Sequence, residues 1–488
     1  MYYIGVDLGT SSVKLVLMKD NGEITKVVSK EYDLFFPKTG WSEQNPVDWY
    51  RQSVAGIKEL ISDIKNEEVA GISFGGQMHG LVILDSDDEV LRPAILWNDG
   101  RTGEECDYLN NVIGREKISR YTANMALTGF TAPKLLWVKK HEPDIFNRIA
   151  KIMLPKDYLA YRFTGVHCTD VSDASGMLLF DVEHKCWSDE MIEIVGIQKN
   201  QLANIYESYE VVGTLTSTAA EELGLTTEVK VIAGAGDNAA GAIGTGTIEH
   251  GMCSVSLGTS GTVFIASDNF AVDENNALHS FAHANGKYHF LGCMLCAASA
   301  NKWWMEDVLK TKEFAKEQQE IGELGENEVY FLPYLMGERT PHNDPSARGA
   351  FVGMSMNTTR GDMTLAVLEG VTYALRDAVE IARSFGVTVE RVRLIGGGAK
   401  SDLWCKLVAN ILDVTVEKLA CEEGPGYGAA MLAAVGCGAY ATVSEAADKL
   451  IRVTDTIHQE PALVEKYNKK YEVFRELYPA LKPVYRML

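Results

Sequence analysis

Residues 2–19 read YYIGVDLGTSSVKLVLMK, and residues 252–267 read MCSVSLGTSGTVFIAS. Each is a β-type run, then Leu-Gly-Thr-Ser, then a second β-type run. Two such runs joined by a Gly/Thr/Ser turn predict a hairpin. In the first copy Asp20-Asn21-Gly22 predicts a further turn into a third strand, Ile24 to Ser29. The likeness continues downstream. A helical stretch follows each hairpin, Val47–Ile61 and Asp362–Phe385, and then a strand that ends in glycines, VAGISFGGQ at 69–77 and VRLIGGGAK at 392–400. Recurrence of hairpin, helix and strand-Gly-Gly in one order predicts two lobes of one α/β fold, residues 1–248 and 249–488. Two lobes replace the roughly three domains that length alone suggests. The stretch Asn269–Lys287 has no clear pattern and is expected to be a surface excursion; the last ~50 residues have helical periodicity and no motif.

Hydrophobic residues make up 46% of the chain and charged residues 23%, the profile of a soluble globular protein. Lys plus Arg is 46 against 67 Asp plus Glu, a net charge of −21. A field of that sign repels nucleic acid and anionic lipid, so neither is expected as a partner. The N-terminus MYYIGVDLGT has no basic n-region or long apolar h-region, and no apolar run reaches the ~18 residues of a membrane span. The nine cysteines are scattered, and the single CxxC, Cys293 and Cys296, has no second pair to complete a zinc site. Reduced thiols and a cytoplasmic location are expected.

A hairpin turn of Gly, Thr and Ser presents N–H groups and hydroxyls to one point, which binds phosphate oxygens without net positive charge. Thr10 and Ser11 in the first turn, and Gly258, Thr259 and Ser260 in the second, are the candidates; the alternative is a pair of ordinary hairpins. Before Leu-Gly-Thr-Ser the copies differ, Asp7 against Ser256. A carboxylate beside a phosphate turn suits Mg²⁺, which takes oxygen ligands. Lys14 either meets a phosphate or lies in solvent. In IAGAGDNAAG (232–241) Asp237 stands among residues with almost no side chain, either as a helix N-cap or facing something that comes very near. GGGAKSDLWCKLVAN (396–410) offers bare backbone at Gly397 and Gly398 for a flat ring or ribose, with Ser401 or Asp402 as a helix cap. The chain has no GxxxxGK[ST] loop and no strand–GxGxxG–helix unit, which excludes P-loop and Rossmann binding.

These motifs resemble the actin-like ATPase (ribonuclease H-like) fold of sugar kinases, actins and heat-shock chaperones, two lobes with a cleft between them. GFTAPKLLWVKKH (129–141) and GAFVGMSMNTTRGDMTLAVLE (349–369) are similar to the two signatures of the FGGY carbohydrate kinases. GGQMHGLVILD (75–85), LRPAILWNDGRT (91–102), AGAGDNAAGAIGTG (233–246) and LPYLMGERTPHNDPSARGAFVG (332–353) are similar to that family's xylulokinase branch. Glycerol kinases carry Arg-Glu where this chain has Met78-His79, and gluconate kinases carry Met-His-Ser where it has Met78-His79-Gly80. The resemblance runs from the first residue to about Gly438.

The resemblance implies ATP-dependent phosphorylation of D-xylulose to D-xylulose 5-phosphate, with Mg²⁺. It implies that Asp237 is the catalytic base and that Asp7 serves the metal. Gln77, Met78, His79, Asn238 and Trp97 would line the sugar site, although by itself a Met-His pair is more often core than ligand and an indole is as readily read as core. Thr10, Ser11, Lys14, Gly258, Thr259, Ser260, Gly397, Gly398 and Ser401 would hold the nucleotide. Family habit adds a homodimer. Two alternatives stand beside this reading, another FGGY kinase acting on a different ketose, polyol or aldonate, and a non-catalytic ATP-driven switch. The glycine-rich run Gly241–Thr247 is expected to be a hinge that lets the lobes close and exclude water.

Overall fold

The computed structural model describes residues 1–421 and 423–488. The chain forms two compact units, one of Met1–Ile248, Ser280–Tyr288 and Glu423–Ile451, the other of Glu249–His279, His289–Glu422 and Arg452–Leu488. Two segments expected in the second lobe therefore belong to the first. The fold is the actin-like ATPase fold, mixed α/β in both units.

In the first unit the predicted hairpin is β1 (Tyr2–Leu8) and β2 (Ser12–Lys19), followed by β3 (Ile24–Glu31). The glycine-ended strand is β4 (Val69–Gly76), joined by β5 (Val211–Thr214), β6 (Lys230–Ile232) and the two-residue β7 (Ala235–Gly236). The sheet runs β5-β6-β4-β1-β2-β3, with β7 on the end of β4. β1 is antiparallel to β2 and parallel to β4. Its burial is nearly continuous, as expected for a central strand covered on both faces. On one face Gly56 of the helix Pro46–Leu60 meets Leu15, and a Cβ there would lie 2.1 Å from Leu15 Cδ1. Asn45 caps that helix by accepting the Val47 N–H, so it begins one residue before the predicted stretch.

The opposite face is covered by the helix Gly424–Gly436, which the sequence pattern assigns to the other lobe. A Cβ on Gly5 of β1 would lie 2.0 Å from the Gly426 carbonyl oxygen. This helix also crosses the helix Asp237–Thr245. A Cβ on Gly244 would lie 2.2 Å from the Gly424 carbonyl oxygen, and one on Gly428 would lie 1.8 Å from the Ala240 carbonyl oxygen. Backbone touches backbone at each crossing, which is why the segment 423–451 packs here. The proposed hinge is corrected by the same contacts. Gly241 to Thr245 is helical, and Ala242, Ile243, Gly244 and Thr245 are buried.

The second unit repeats the plan with β8 (Cys253–Leu257), β9 (Gly261–Ser267), β10 (Tyr288–Met294), β11 (Arg391–Ile395), β12 (Thr415–Leu419) and β13 (Val453–Ile457), in the order β10-β9-β8-β11-β12-β13. β8 is antiparallel to β9 and parallel to β11, as β1 is to β2 and β4. The long helix Arg360–Ser384 starts at a Thr359–Asp362 capping box. It is buried on most sides, so its polar residues need partners: Thr364 and Thr372 accept indole N–H groups from Trp304 and Trp404, and Glu369 and Asp377 accept the hydroxyls of Tyr467 and Tyr471. The last two partners lie on the helix Pro461–Tyr485, which accounts for the motif-free C-terminal segment. The expected surface excursion at 269–287 is not one. Asp273 is buried there, accepting the Ala277 N–H at 2.6 Å, and His279–Ala282 is a strand.

No helix among the described residues is long and apolar enough to cross a membrane. Among the described residues no disulfide links the nine cysteines, five of which are buried.

The glycine crossing generates a stability prediction. Gly428→Ala should destabilise the protein by about 1–3 kcal/mol, the range for overpacking. Gly241→Ala, whose Cβ would meet only Pro425 Cγ at 3.7 Å, should be neutral or gain up to about 1 kcal/mol from helix propensity. Thermal unfolding of the pair checks this; equal midpoints would mean the close crossing does not hold the unit together.

Candidate active site

Side chains two apart on a strand share a face, so Asp7 at the end of β1 points to the same side as Gly5, toward the start of the helix Gly424–Gly436. A Cβ on Gly426 would lie 3.7 Å from Asp7 Cβ. Glu423, the residue just before this helix, brings a second carboxylate to that corner. Lys14, directly opposite Asp7 across the hairpin, sits 3.3 Å from Glu423 Oε2. Lys14 is thus a partly exposed cation paired with a carboxylate. Glu423 is a residue that sequence reasoning missed, since nothing in a Glu-Glu pair announces a return to the first unit. Burial, and next the negative charge of Asp237, push the Asp7 carboxyl up to about 7; Lys14 opposes the shift and Glu423 adds to it.

The turn between β1 and β2 is closed by the Gly9 N–H donating to the Ser12 carbonyl at 3.0 Å. The Thr10 carbonyl accepts from Gln44 Nε2 at 2.5 Å, and Thr10 Oγ1 accepts the Trp97 indole N–H at 3.0 Å. Ser11 is exposed at the tip. Trp97 is thus no core indole: it is 38% exposed and joined to the turn.

Asp237 owes its place to the β7 pairing. Gly234 has φ +77, with Phe74 carbonyl oxygen 2.3 Å from where a Cβ would stand, so only glycine lets the chain turn back onto β4. The helix then begins with Asp237 as its first residue and Gly236 in the cap position, so Asp237 is not the cap expected from sequence. Its Oδ1 accepts the Asn238 N–H at 2.7 Å and Asn238 Nδ2 at 2.9 Å. Burial pushes this carboxyl up to about 6 against those two bonds. An anionic carboxylate, half-buried and aimed by an N–H, is chemically equipped to accept a proton near neutral pH.

Gln77, Met78 and His79 follow β4. Gln77 is buried and donates to Gln44 Oε1 at 3.1 Å, extending the chain from Thr10 and Trp49. Met78 is 5% exposed, with its Sδ 4.0 Å from Asn238 Nδ2. His79 has φ +69, a left-handed conformation unusual for its residue type. Its carbonyl accepts Thr131 Oγ1 at 3.0 Å and Lys134 Nζ at 2.8 Å, and its Nδ1 is 2.7 Å from the Gly176 carbonyl. Lys134, fully buried, also donates to the Gly129 carbonyl at 2.6 Å. Burial pulls its pKa down to about 7, with Asp99 opposing. Within the first unit the structure therefore links Thr10, Gln77 and Trp97 through hydrogen bonds, and Met78, Asn238 and Asp237 through another set.

In the second unit the Gly258 carbonyl accepts the Ala298 N–H at 2.8 Å, and the Thr259 carbonyl accepts the Ser299 hydroxyl at 2.6 Å. The carbonyls are held inward while the side chains of Thr259 and Ser260 are exposed. Gly397 has open space where a Cβ would be, which leaves its backbone accessible to a flat ligand. Gly398 is buried, 2.7 Å from Leu257 Cβ by the same construction, so it serves packing. Ser401, not Asp402, caps the helix Asp402–Leu412; its hydroxyl accepts the Trp404 N–H and donates to Gln318 Oε1 at 2.8 Å.

Comparison with known proteins agrees along the whole chain. Residues 2–244 match the N-terminal domain of the FGGY family of carbohydrate kinases, and residues 253–437 match its C-terminal domain. The xylulose kinase of Bacillus subtilis (strain 168) is 40% identical over 486 residues, 99% of this chain and 97% of that protein. The crystal structure of a xyloylose kinase from Brucella ovis superposes with a TM-score of 0.94 at 38% identity, covering 99% of this chain and 100% of that one. That of a gluconate kinase from Lactobacillus acidophilus does so at 0.95 with 28% identity, covering 100% and 99%. This chain belongs to the FGGY family of carbohydrate kinases and is a sugar kinase.

Proposed function

We propose that the protein phosphorylates D-xylulose from ATP to give D-xylulose 5-phosphate, with Asp237 as general base. The observation that carries the mechanism is Asp237 at a helix start, its carboxylate oriented by Asn238 and beside the Met78 loop. The relative from Bacillus subtilis, a xylulose kinase over nearly its full length, supports the acceptor. The Lactobacillus acidophilus gluconate kinase has almost the same backbone, so an aldonate is the competing acceptor. Turnover of a panel of pentuloses, polyols and aldonates, read as ADP release, decides between them; aldonate preferred over D-xylulose would overturn the acceptor.

Family membership brings ATP as the phosphoryl donor. Mg²⁺ fits the donor set at Asp7, a carboxylate oxygen with a second carboxylate, Glu423, nearby. No group of three or more His, Cys, Asp or Glu among the described residues forms a metal cage. Mg²⁺ does not require one, since it keeps water and substrate phosphates as ligands. When bound it would neutralise charge on the transferring phosphoryl group. The Asp237 carboxylate would take the proton from the sugar hydroxyl, Asn238 would fix that carboxylate, and the turn at Thr10 and Ser11 would offer neutral donors to phosphate oxygens.

Asp237→Asn keeps the size and the first-turn position but loses the anion. We expect kcat to fall by roughly 10²-fold or more; because burial raises this carboxyl to about 6, the neutral side chain should leave the Tm at pH 8 equal or higher, not lower. Near-parental turnover would remove Asp237 from the base role. Because the base acts as an anion and its pKa lies near 6, kcat should fall about tenfold per pH unit below pH 6 and level off above pH 7.

Asp7 carries the same sign of expectation for stability, over a wider pH window. Between 3.8 and about 7 the folded chain holds a proton that the unfolded chain releases, so stability declines as pH rises through that window. Asp7→Asn relieves this. Its Tm at pH 8 without nucleotide or metal should rise by roughly 1–4 °C while activity drops. Calorimetry at pH 5 and pH 8 measures it; a lower Tm at pH 8 would contradict the repulsion.

A further inference from the structure

Beneath the Asp237 loop lies a charged cluster that the reaction does not use. Lys156, Asp157, Asp170, Asp173 and Ser172 are all essentially without solvent exposure. Lys156 Nζ lies 2.6 Å from Asp157 Oδ1, 2.8 Å from Asp170 Oδ1 and 3.8 Å from Asp173 Oδ2. Burial alone would lower the Lys156 pKa, but the three aspartates together hold it well above the ordinary value. Neither oxygen of Asp173 has a hydrogen-bond partner, and burial raises its carboxyl well above the usual range. The cluster thus holds one ammonium among three buried carboxyl groups, two of them hydrogen-bonded.

Its bonds lead to the base. Asp170 Oδ2 accepts the Ser172 hydroxyl at 2.5 Å and the Ser208 hydroxyl at 2.6 Å. With its proton given to Asp170, Ser172 Oγ accepts the Gly236 N–H at 3.1 Å. Gly236 is the cap residue immediately before Asp237, and a Cβ on it would lie 3.0 Å from Met78 Cγ. The Lys156 side chain also packs under β4, 2.6 Å from where a Gly76 Cβ would stand. Four residues beyond Ser172, the Gly176 carbonyl receives His79. One short segment, 170–176, thus reaches both loops of the first-unit site.

We propose that Lys156 and Asp170, acting through Ser172, are positioning residues that set the backbone before Asp237 and hence the aim of its carboxylate. This rests on Asp237 being the base. An uncharged cluster would leave the Ser172 proton uncommitted, and Ser172 could then donate elsewhere and release the Gly236 N–H. The Lys156–Asp170 pair fixes the direction of the chain of bonds.

Ser172→Ala tests it, with Ser208→Ala as its matched control. Both remove a hydroxyl from Asp170 Oδ2, but only Ser172 touches Gly236. We expect Ser172→Ala to lower kcat about 10-fold or more, with the sugar KM within about twofold, the pattern of a misaimed group. Ser208→Ala should keep most of the parental kcat. In an Asp237→Asn background Ser172→Ala should change the residual turnover by less than about twofold, because its route runs through Asp237. If Ser172→Ala fails to accumulate as folded protein, Ser172→Cys fills similar space with a poorer acceptor and carries the same expectation. Equal losses in the two serine variants, or a parental kcat in Ser172→Ala while Asp237→Asn is inactive, would overturn the positioning role and leave the base intact. A parental rate in Asp237→Asn would instead remove the base reading.

Discussion

The contact on which the first unit depends is backbone against backbone, where the helix Gly424–Gly436 presses on β1 and on the helix Asp237–Thr245. Gly5, Gly244 and Gly428 have no room for a methyl group at these crossings. Helices at that distance exchange side-chain packing for dense main-chain contact, which any larger residue would break. The consequence is electrostatic as much as structural. The close approach brings Glu423 to Lys14 and places a helix start beside Asp7. The glycines therefore decide where three of the site's charges stand.

Two buried lysines support the site from below, and they do so differently. Lys156 is surrounded by carboxylates and stays charged because their attraction exceeds the burial penalty. Lys134 has carbonyls as its direct partners, His79 and Gly129, and its pKa is drawn down to about 7. Carbonyl dipoles compensate a buried ammonium less well than full charges do. Lys134 holds the left-handed His79 directly, and Lys156, in the proposal above, steadies the short β7 pairing before Asp237 through Asp170 and Ser172. Rigid aim in a kinase site is worth this cost, since phosphoryl transfer depends chiefly on placement.

Legibility in the sequence follows from how local each signal is. The hairpins, their partner strands and the two long helices were readable because alternation, turn residues and caps act over a few residues. The Leu-Gly-Thr-Ser repeat then gave the two-lobed plan. The return of residues 423–451 to the first unit was not readable. Eight of the thirteen residues of its helix are Gly or Ala, buried with little amphipathic contrast, and its meaning lies in Gly5 and Gly244, far away in sequence. The same cause explains the hinge error, because glycines that permit rotation in a loop permit close packing in a helix. Lys134 and Lys156 were passed over because a lysine is ordinarily an exposed residue. Asp237 was legible as a residue of interest, but its place inside the helix rather than at the cap depended on Gly234 and the β7 pairing.

The acidity of the protein gives these features one further meaning. With a net charge of −21 the chain as a whole offers no attraction to a polyphosphate. Lys14, the cation directly across the hairpin from Asp7, is partnered by Glu423. Where phosphate chemistry is proposed, burial first and then the charges of Asp237 and Glu423 lift Asp7 to about 7. That repulsion costs stability in the folded chain, and a cation arriving with the nucleotide would relieve it. If the cation binds at Asp7 as proposed, part of its affinity would already be stored as unfavourable charge, and the penalty in folding would reappear as binding energy at the reacting end. Neutral donors in the hairpin turns would complete such a design, because in the proposed role they would hold phosphate oxygens without cancelling the carboxylates.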